Sequence, residues 1–136
     1  MEVATQVTVV TRNIPSSLAQ VGDKLRASDV NIEAITVTEG KDKTAIHLIV
    51  NDHETAKIVL RDLGTVSTQE VVALKMKNRP GAIADIGRAC AASGVNIGMI
   101  YATTCGKEAM VYVTVPEVHA AIKALAAWEK KKAAQG

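Results

Sequence analysis

Two stretches decide the fold: residues 13–37, NIPSSLAQVGDKLRASDVNIEAITV, and residues 78–102, NRPGAIADIGRACAASGVNIGMIYA. Laid over one another at a shift of 65 positions, without a gap, they share 10 of 25 residues. Roughly 1 or 2 identities would arise by chance at ordinary residue frequencies. The matches include Asn13 with Asn78, Pro15 with Pro80, Gly22 with Gly87 and Val30-Asn31-Ile32 with Val95-Asn96-Ile97. A coincidence of apolar patterns would not align asparagine, proline and glycine as well, so the chain is an internal duplication.

Each copy reads as strand, helix, strand, strand, helix. In the first, Gln6–Thr11 alternates around Val7 and Val9, the pattern of a strand. Pro15 then suits the first turn of a helix over 15–28, and Leu18, Val21, Gly22 and Leu25 recur at helical spacing as its buried stripe. Strands are expected over 31–38 and 45–50 around a polar turn at Gly40, and Asp52 is placed to cap a second helix that Gly64 stops. The second copy predicts a strand over 71–76, a helix over 80–93 stopped by Gly94, strands over 95–103 and 109–115, and a final helix from 117 to about 132. This order is that of a ferredoxin-like α+β unit, which ends on a fourth strand. The six residues 65–70 leave the first copy only a very short fourth strand, or one merged with the next. Nothing strand-like follows the last helix, so the second repeat lacks its last strand. The open edge is expected to be covered by joining sheets, between repeats or between chains. The expected domains are residues 3–69 and 70–136.

Composition narrows the functional classes. Hydrophobic residues make up 48% of the chain, but Phe is absent and Trp128, Tyr101 and Tyr112 are the whole aromatic set, so the core must be aliphatic. The net charge of +2 is already accounted for by Glu129 with Lys130, Lys131 and Lys132 near the end of the last helix. The remaining charge balance is near zero, unlike the basic face of a nucleic-acid binder. No leader peptide and no apolar run of bilayer length is read, which points to a cytoplasmic protein without membrane contact. Cys90 and Cys105 lack the paired spacing of a zinc site and are expected as free thiols. Neither a metal nor a cofactor is expected. His47, His53 and His119 fall in different elements, and His47 is placed in a strand on the side opposite Ile46 and Leu48.

The polar residues that recur carry the site. Asn78-Arg79-Pro80-Gly81 joins the first strand of repeat two to its helix, which begins with Ala82 close by. A helix start offers unpaired N–H groups and partial positive charge, a natural place for a carboxylate. Asn78 offers both a donor and an acceptor, and Asn96 with Ile97 opens the following strand. Asn13, Ser16 and Asn31 are the corresponding candidates in repeat one. Asparagine is also a common turn former, so both readings stand at this point.

The run Asn78-Arg79-Pro80-Gly81, followed by Gly94-Val95-Asn96-Ile97, resembles the signature of ACT domains, in particular the serine-binding regulatory domain of phosphoglycerate dehydrogenase. Both repeats together resemble stand-alone tandem ACT proteins over about residues 5–125. The resemblance implies a regulatory, non-catalytic module that binds a free amino acid where two ACT units meet. It also implies a homodimer formed through sheet or helix pairing, and a possible regulated enzyme as partner. It assigns ligand contact to Asn78 and Asn96. A histidine that contributes in that subfamily corresponds here to Met76, which speaks against serine. In repeat one, Ile14 and Ser16 stand where repeat two has Arg79 and Gly81. Two other classes share the element order. A small mutase- or phosphatase-type enzyme would need a convergent acid/base pair, and an RNA-binding module would need exposed sheet aromatics for stacking.

Overall fold

The computed structural model describes residues 1–135, with side chains through Lys131. The elements run β1 (Glu2–Arg12), α1 (Ser17–Ala27), β2 (Ile32–Glu39), β3 (Lys43–Val50), α2 (His53–Val59), β4 (Thr65–Lys77), α3 (Ala82–Ala92), β5 (Ile100–Cys105), β6 (Glu108–Val113) and α4 (Val118–Gln135). The chain divides into two compact units: Thr5–Gln69, and Glu70–Gly136 together with Met1–Ala4.

In the N-terminal unit the strands lie in the order β2-β3-β1-β4, with β1–β3 and β2–β3 antiparallel. Ile46 and Leu48 of β3 oppose Val9 and Val7 of β1, and this row faces α1 and α2. The core is the aliphatic set Val7, Val9, Val21, Leu25, Ile46, Leu48 and Leu60, all essentially inaccessible to solvent. In the C-terminal unit the order is β1-β4-β6-β5. Val72, Leu74, Val111 and Val113 form the inner face, covered by Ile86, Ala89 and Cys90 of α3 and by Ala121 and Leu125 of α4.

The merged-strand alternative holds: β4 is one strand of 13 residues, with Thr65–Gln69 in the N-terminal unit and the rest in the C-terminal unit. No strand follows α4 among the described residues. The start of β1, Met1–Ala4, belongs to the C-terminal unit, where β1 lies beside β4. Each unit therefore completes its sheet with a segment contiguous with a strand of the other.

Asp52 caps α2 as expected, its carboxylate accepting from Thr55 N–H at 3.1 Å. The hydrogen bond from the Thr55 hydroxyl, and after it the one from Thr55 N–H, holds the Asp52 carboxyl below its usual pKa. One expectation is corrected. Leu18 was placed in the buried stripe of α1 but is 53% exposed, and Ser17, Val21 and Leu25 face inward instead. The Ser17 hydroxyl donates to the Arg12 carbonyl at 2.6 Å, which ties the helix start to the end of β1 and sets the rotation of the helix. Helix α3 has the same rotation: Ala82 and Ile86 are buried and Ile83 is 49% exposed.

Gly64, the predicted stop after α2, lies under the β1 backbone, where a Cβ would sit 2.1 Å from the Val10 carbonyl oxygen. Gly22, inside α1, has nothing within 4 Å of its missing Cβ. Gly64→Ala should lower the unfolding free energy by about 3 kcal/mol or more, since backbone and not side chain must move. Gly22→Ala should leave it unchanged or raise it by about 0.5–1 kcal/mol, the helix-propensity difference. Urea denaturation of the two variants checks both.

Candidate ligand site at the start of α3

The two asparagines that follow β1 and β4 do the same backbone work. Asn13 N–H donates to the Asp42 carbonyl at 3.0 Å, and Asn78 N–H to the Lys107 carbonyl at 2.8 Å. Each side-chain amide also donates to the neighbouring hairpin turn, Asn13 to the Gly40 carbonyl and Asn78 to the Gly106 carbonyl, both at 3.0 Å. The turn-forming reading of these residues is therefore correct as far as their donors go.

Their acceptors differ. Asn13 Oδ1 accepts from the Thr44 hydroxyl at 3.1 Å, and its amide makes a second bond to the Glu39 carboxylate at 3.2 Å. Glu39 and Thr44 are ladder partners, and the corresponding partners in the second repeat are Thr104 and Ala109. With a methyl group where the first repeat has a hydroxyl, Asn78 Oδ1 has no partner among the described residues. Asn13 is a closed structural residue, and Asn78 keeps an acceptor available in an exposed position.

The helix starts differ as well. Ser16, at the N-cap of α1, is right-handed (φ −84°), whereas Gly81, at the N-cap of α3, is left-handed (φ 90°), a conformation that favours glycine. Neither N-cap makes a side-chain capping bond. In α3 the first turn is instead bordered by charge. The Arg79 guanidinium donates from Nη1 to the Pro80 carbonyl at 3.1 Å and from Nη2 to the Asp85 carboxylate at 2.5 Å. Arg88 approaches the other Asp85 oxygen at 3.7 Å. Asp85 is only 18% exposed while Arg79 is 44% exposed, so the outward-facing member of the pair is the cation. The first repeat has Ile14, Gln20 and Asp23 at these three positions and builds no such group.

The other predicted residues stand apart. Asn96 was expected to open a strand, but β5 begins only at Ile100, because Gly98 and Met99 are held in an irregular turn by bonds to Thr114. Asn96 is exposed in that connection, and Ile97 packs half-buried on the core. Asn31 is exposed too, its N–H bound to Asn51 Oδ1 at 2.9 Å, and it lines a shallow groove with Gly22, Asp29 and Val30. Pro116 replaces Asn51 in the second repeat, so Asn96 has no such bond. Asn78 and Asn96 flank the 11 residues of α3. At 1.5 Å per residue they are roughly 16 Å apart, too far for one amino acid to touch both in one unit.

Next to Arg79 the structure opens a cavity of ≈ 150 Å³, lined by Leu74, Met76, Asp85, Ile86, Leu125 and Trp128 among others. Of the predicted site residues, Arg79 is on its wall. Asp85 and Trp128 line the same cavity and were not among the residues singled out from the sequence. The available signal lay in the mismatches between the repeats, since a charge that appears in one copy alone is not required by the shared fold.

Elsewhere, His47 points away from Ile46 and Leu48, as read from the sequence, with Nδ1 2.8 Å from the Thr8 hydroxyl. Burial lowers its pKa and favours the neutral ring. Tyr101 and Tyr112 stack on one another at 5.4 Å, and Tyr112 is buried, so the pair offers no open platform for bases. Burial, with a contribution from Tyr112, pushes the Tyr101 hydroxyl up to about 12. Both cysteines are free, and no group of three or more His, Cys, Asp or Glu able to hold a metal occurs among the described residues. No helix among the described residues is long and apolar enough to cross a membrane.

Residues 1–125 match the ACT domain pair family. The chain belongs to that family. A solved structure from Bacteroides thetaiotaomicron is similar to this ACT pair with a TM-score of 0.86 and 28% identity, covering 95% of this chain and 89% of the other. The ligand-free regulatory subunit of aspartate kinase from Thermus thermophilus shares the fold at TM-score 0.67 and 18% identity, over 94% of this chain and 97% of that subunit. The aspartate kinase of Clostridium acetobutylicum matches 93% of the ACT pair with 33% of its own chain, at TM-score 0.62 and 13% identity. No curated protein matches the chain.

The different bonding of the two asparagines has a measurable consequence. Asn13→Ala removes bonds to Thr44, Glu39 and Gly40 and should cost about 1–2 kcal/mol of stability. Asn78→Ala removes one bond, to Gly106, and should cost about 0.5–1 kcal/mol. Paired denaturation curves test the order.

Proposed function

We propose that this ACT pair is a non-catalytic regulatory module that binds a free amino acid at the start of α3 and acts on a partner enzyme through that binding. The observation that carries the reading is the divergence of two otherwise matched turns. Where Asn13 is fully satisfied, Asn78 keeps a free carbonyl oxygen beside a glycine-opened helix start and an outward-facing Arg79. An α-carboxylate suits Arg79 and the first N–H groups of α3. An α-ammonium suits Asn78 Oδ1. The fold shared with the aspartate kinase regulatory subunit agrees with a regulatory role. Met76 at the family's histidine position argues against serine as the ligand.

The site is completed by a second copy of the chain. Asn96 stands at the far end of α3 from Asn78, so both asparagines reach one ligand only if a unit of one chain meets a unit of its partner. The outer strands β2 and β5 are open sheet edges. Matching apolar positions are exposed in the two repeats: Ile35 (42%) on β2 and Ile100 (38%) on β5, and Leu18 (53%) on α1 and Ile83 (49%) on α3. Such a patch, duplicated at the same 65-residue shift, fits pairing of two identical chains along these edges.

A thermal-denaturation screen with each of the twenty amino acids tests the binding. A ligand at about 100 times its dissociation constant adds roughly 2.7 kcal/mol. Asn78→Ala should abolish the shift and Asn13→Ala should keep it. A screen with no stabilising amino acid would sink the reading. For assembly, the double variant Ile35→Glu, Ile100→Glu should sediment as a monomer where the unmodified chain sediments as a dimer.

A further inference from the structure

We infer that the ligand is an amino acid with a large apolar side chain, and that this side chain enters the cavity between β4, α3 and α4 of the C-terminal unit. The inference deepens the proposed amino-acid reading and rests on it. Every element that contributes supplies aliphatic or aromatic wall: Leu74 and Met76 from β4, Ile86 from α3, Leu125 and Trp128 from α4, with the charged residues Lys75, Arg79, Asp85 and Glu129 making up the rest. Its ≈ 150 Å³ is room enough for a benzene-sized apolar group. A hydroxyl or carboxylate placed there would lose its water without finding a partner among Leu74, Met76, Ile86 and Leu125. A leucine, isoleucine, methionine or phenylalanine side chain would instead remove apolar surface from water.

The charged residues on the wall fit the other end of the same molecule. Arg79 presents five N–H donors and uses two of them within the chain, on Pro80 and Asp85, which leaves donors for a carboxylate at the mouth. Glu129, also on the wall, adds a carboxylate to the acceptor that Asn78 Oδ1 offers an ammonium group. One further atom is unaccounted for: Trp128 Nε1 is buried and has no hydrogen-bond partner. Buried donors without partners are uncommon in native folds. The α-carboxylate, the only oxygen-bearing group of an amino acid with an apolar side chain, would supply the missing acceptor.

The cavity also depends on features peculiar to this unit. Helix α4 has 18 residues against 7 in α2, and its later turns carry Trp128 and Glu129 over the end of β4. At the positions of Met76 and Arg79 the first repeat has Thr11 and Ile14.

Trp128 is the chain's single tryptophan, so its emission reports occupancy of this cavity and of nothing distant. The full chain is titrated with leucine, isoleucine, methionine and phenylalanine, and in parallel with serine, aspartate and lysine, following Trp128 emission and the melting temperature. At least one apolar amino acid should change the emission saturably and raise the melting temperature, with affinity at least 10-fold above serine. Arg79→Gln, a change at a part-exposed residue, should weaken that binding by 10-fold or more. An amino acid that raises the melting temperature without moving Trp128 emission places the ligand elsewhere. The inference then fails and the amino-acid reading stands. Polar amino acids binding as tightly as leucine, or equal affinity in the Arg79→Gln variant, also overturn it. No response by either measure to any amino acid removes both.

Discussion

The need to hydrogen-bond every strand edge, with too little chain to do so locally, governs this structure. A repeat of 65 residues supplies three strands and two helices of a four-stranded unit and leaves no room for the fourth strand. The shortage is met by elongation. β4 has 13 residues and β1 has 11, each long enough to serve two units, whereas β2, β3, β5 and β6 have 6 to 8. The Gly64 backbone contact with Val10 follows from the same geometry, because the chain must enter β4 against β1 without a side chain between them. An unpaired N–H or C=O in a buried position is costly, and sharing long strands removes that cost for two of the four sheet edges.

The two copies differ where β1 and β4 hand over to their helices. The first repeat has a complete polar closure: Asn13, Thr44 and Glu39 satisfy one another across the strand-to-hairpin junction. The second keeps the backbone part of this closure and drops the side-chain part, through Ala109 and Thr104. In the same unit Gly81 changes the hand of the helix start, Arg79 and Asp85 place a charge pair over it, and a longer last helix leaves a cavity beside that pair. Together these changes create an exposed cation, an open acceptor and a recess within one unit. That combination, and not the shared fold, separates the two copies.

Much of this was legible in residues alone. The duplication, the element order, the Asp52 cap and the outward His47 all follow from patterns that act over a few residues, such as alternation and capping chemistry, whereas chain length left the fourth strand either very short or merged and the structure decided for the merged one. The rotation of α1 was not legible, because Leu18 and Ser17 compete for the inward position and a hydroxyl bond to Arg12, set by how the helix leaves the strand, decides between them. The late start of β5 depends on Thr114, a residue 15 positions after Met99, catching the connection after α3. Asp85 and Trp128 come to line one cavity only through the packing of three elements distant in the chain.

By itself the sequence determined a duplicated ferredoxin-like architecture of the ACT type and the two turns at which polar residues recur, since those depend on local backbone preference and the spacing of apolar side chains. The tertiary structure alone decided that Met1–Ala4 closes the second sheet, that Asn78 keeps an acceptor where Asn13 does not, and that Arg79 stands at the mouth of an apolar cavity. Those outcomes depend on which side chains of distant segments meet, and hydrogen-bond satisfaction and cavity shape are properties of that meeting and of no single stretch of chain.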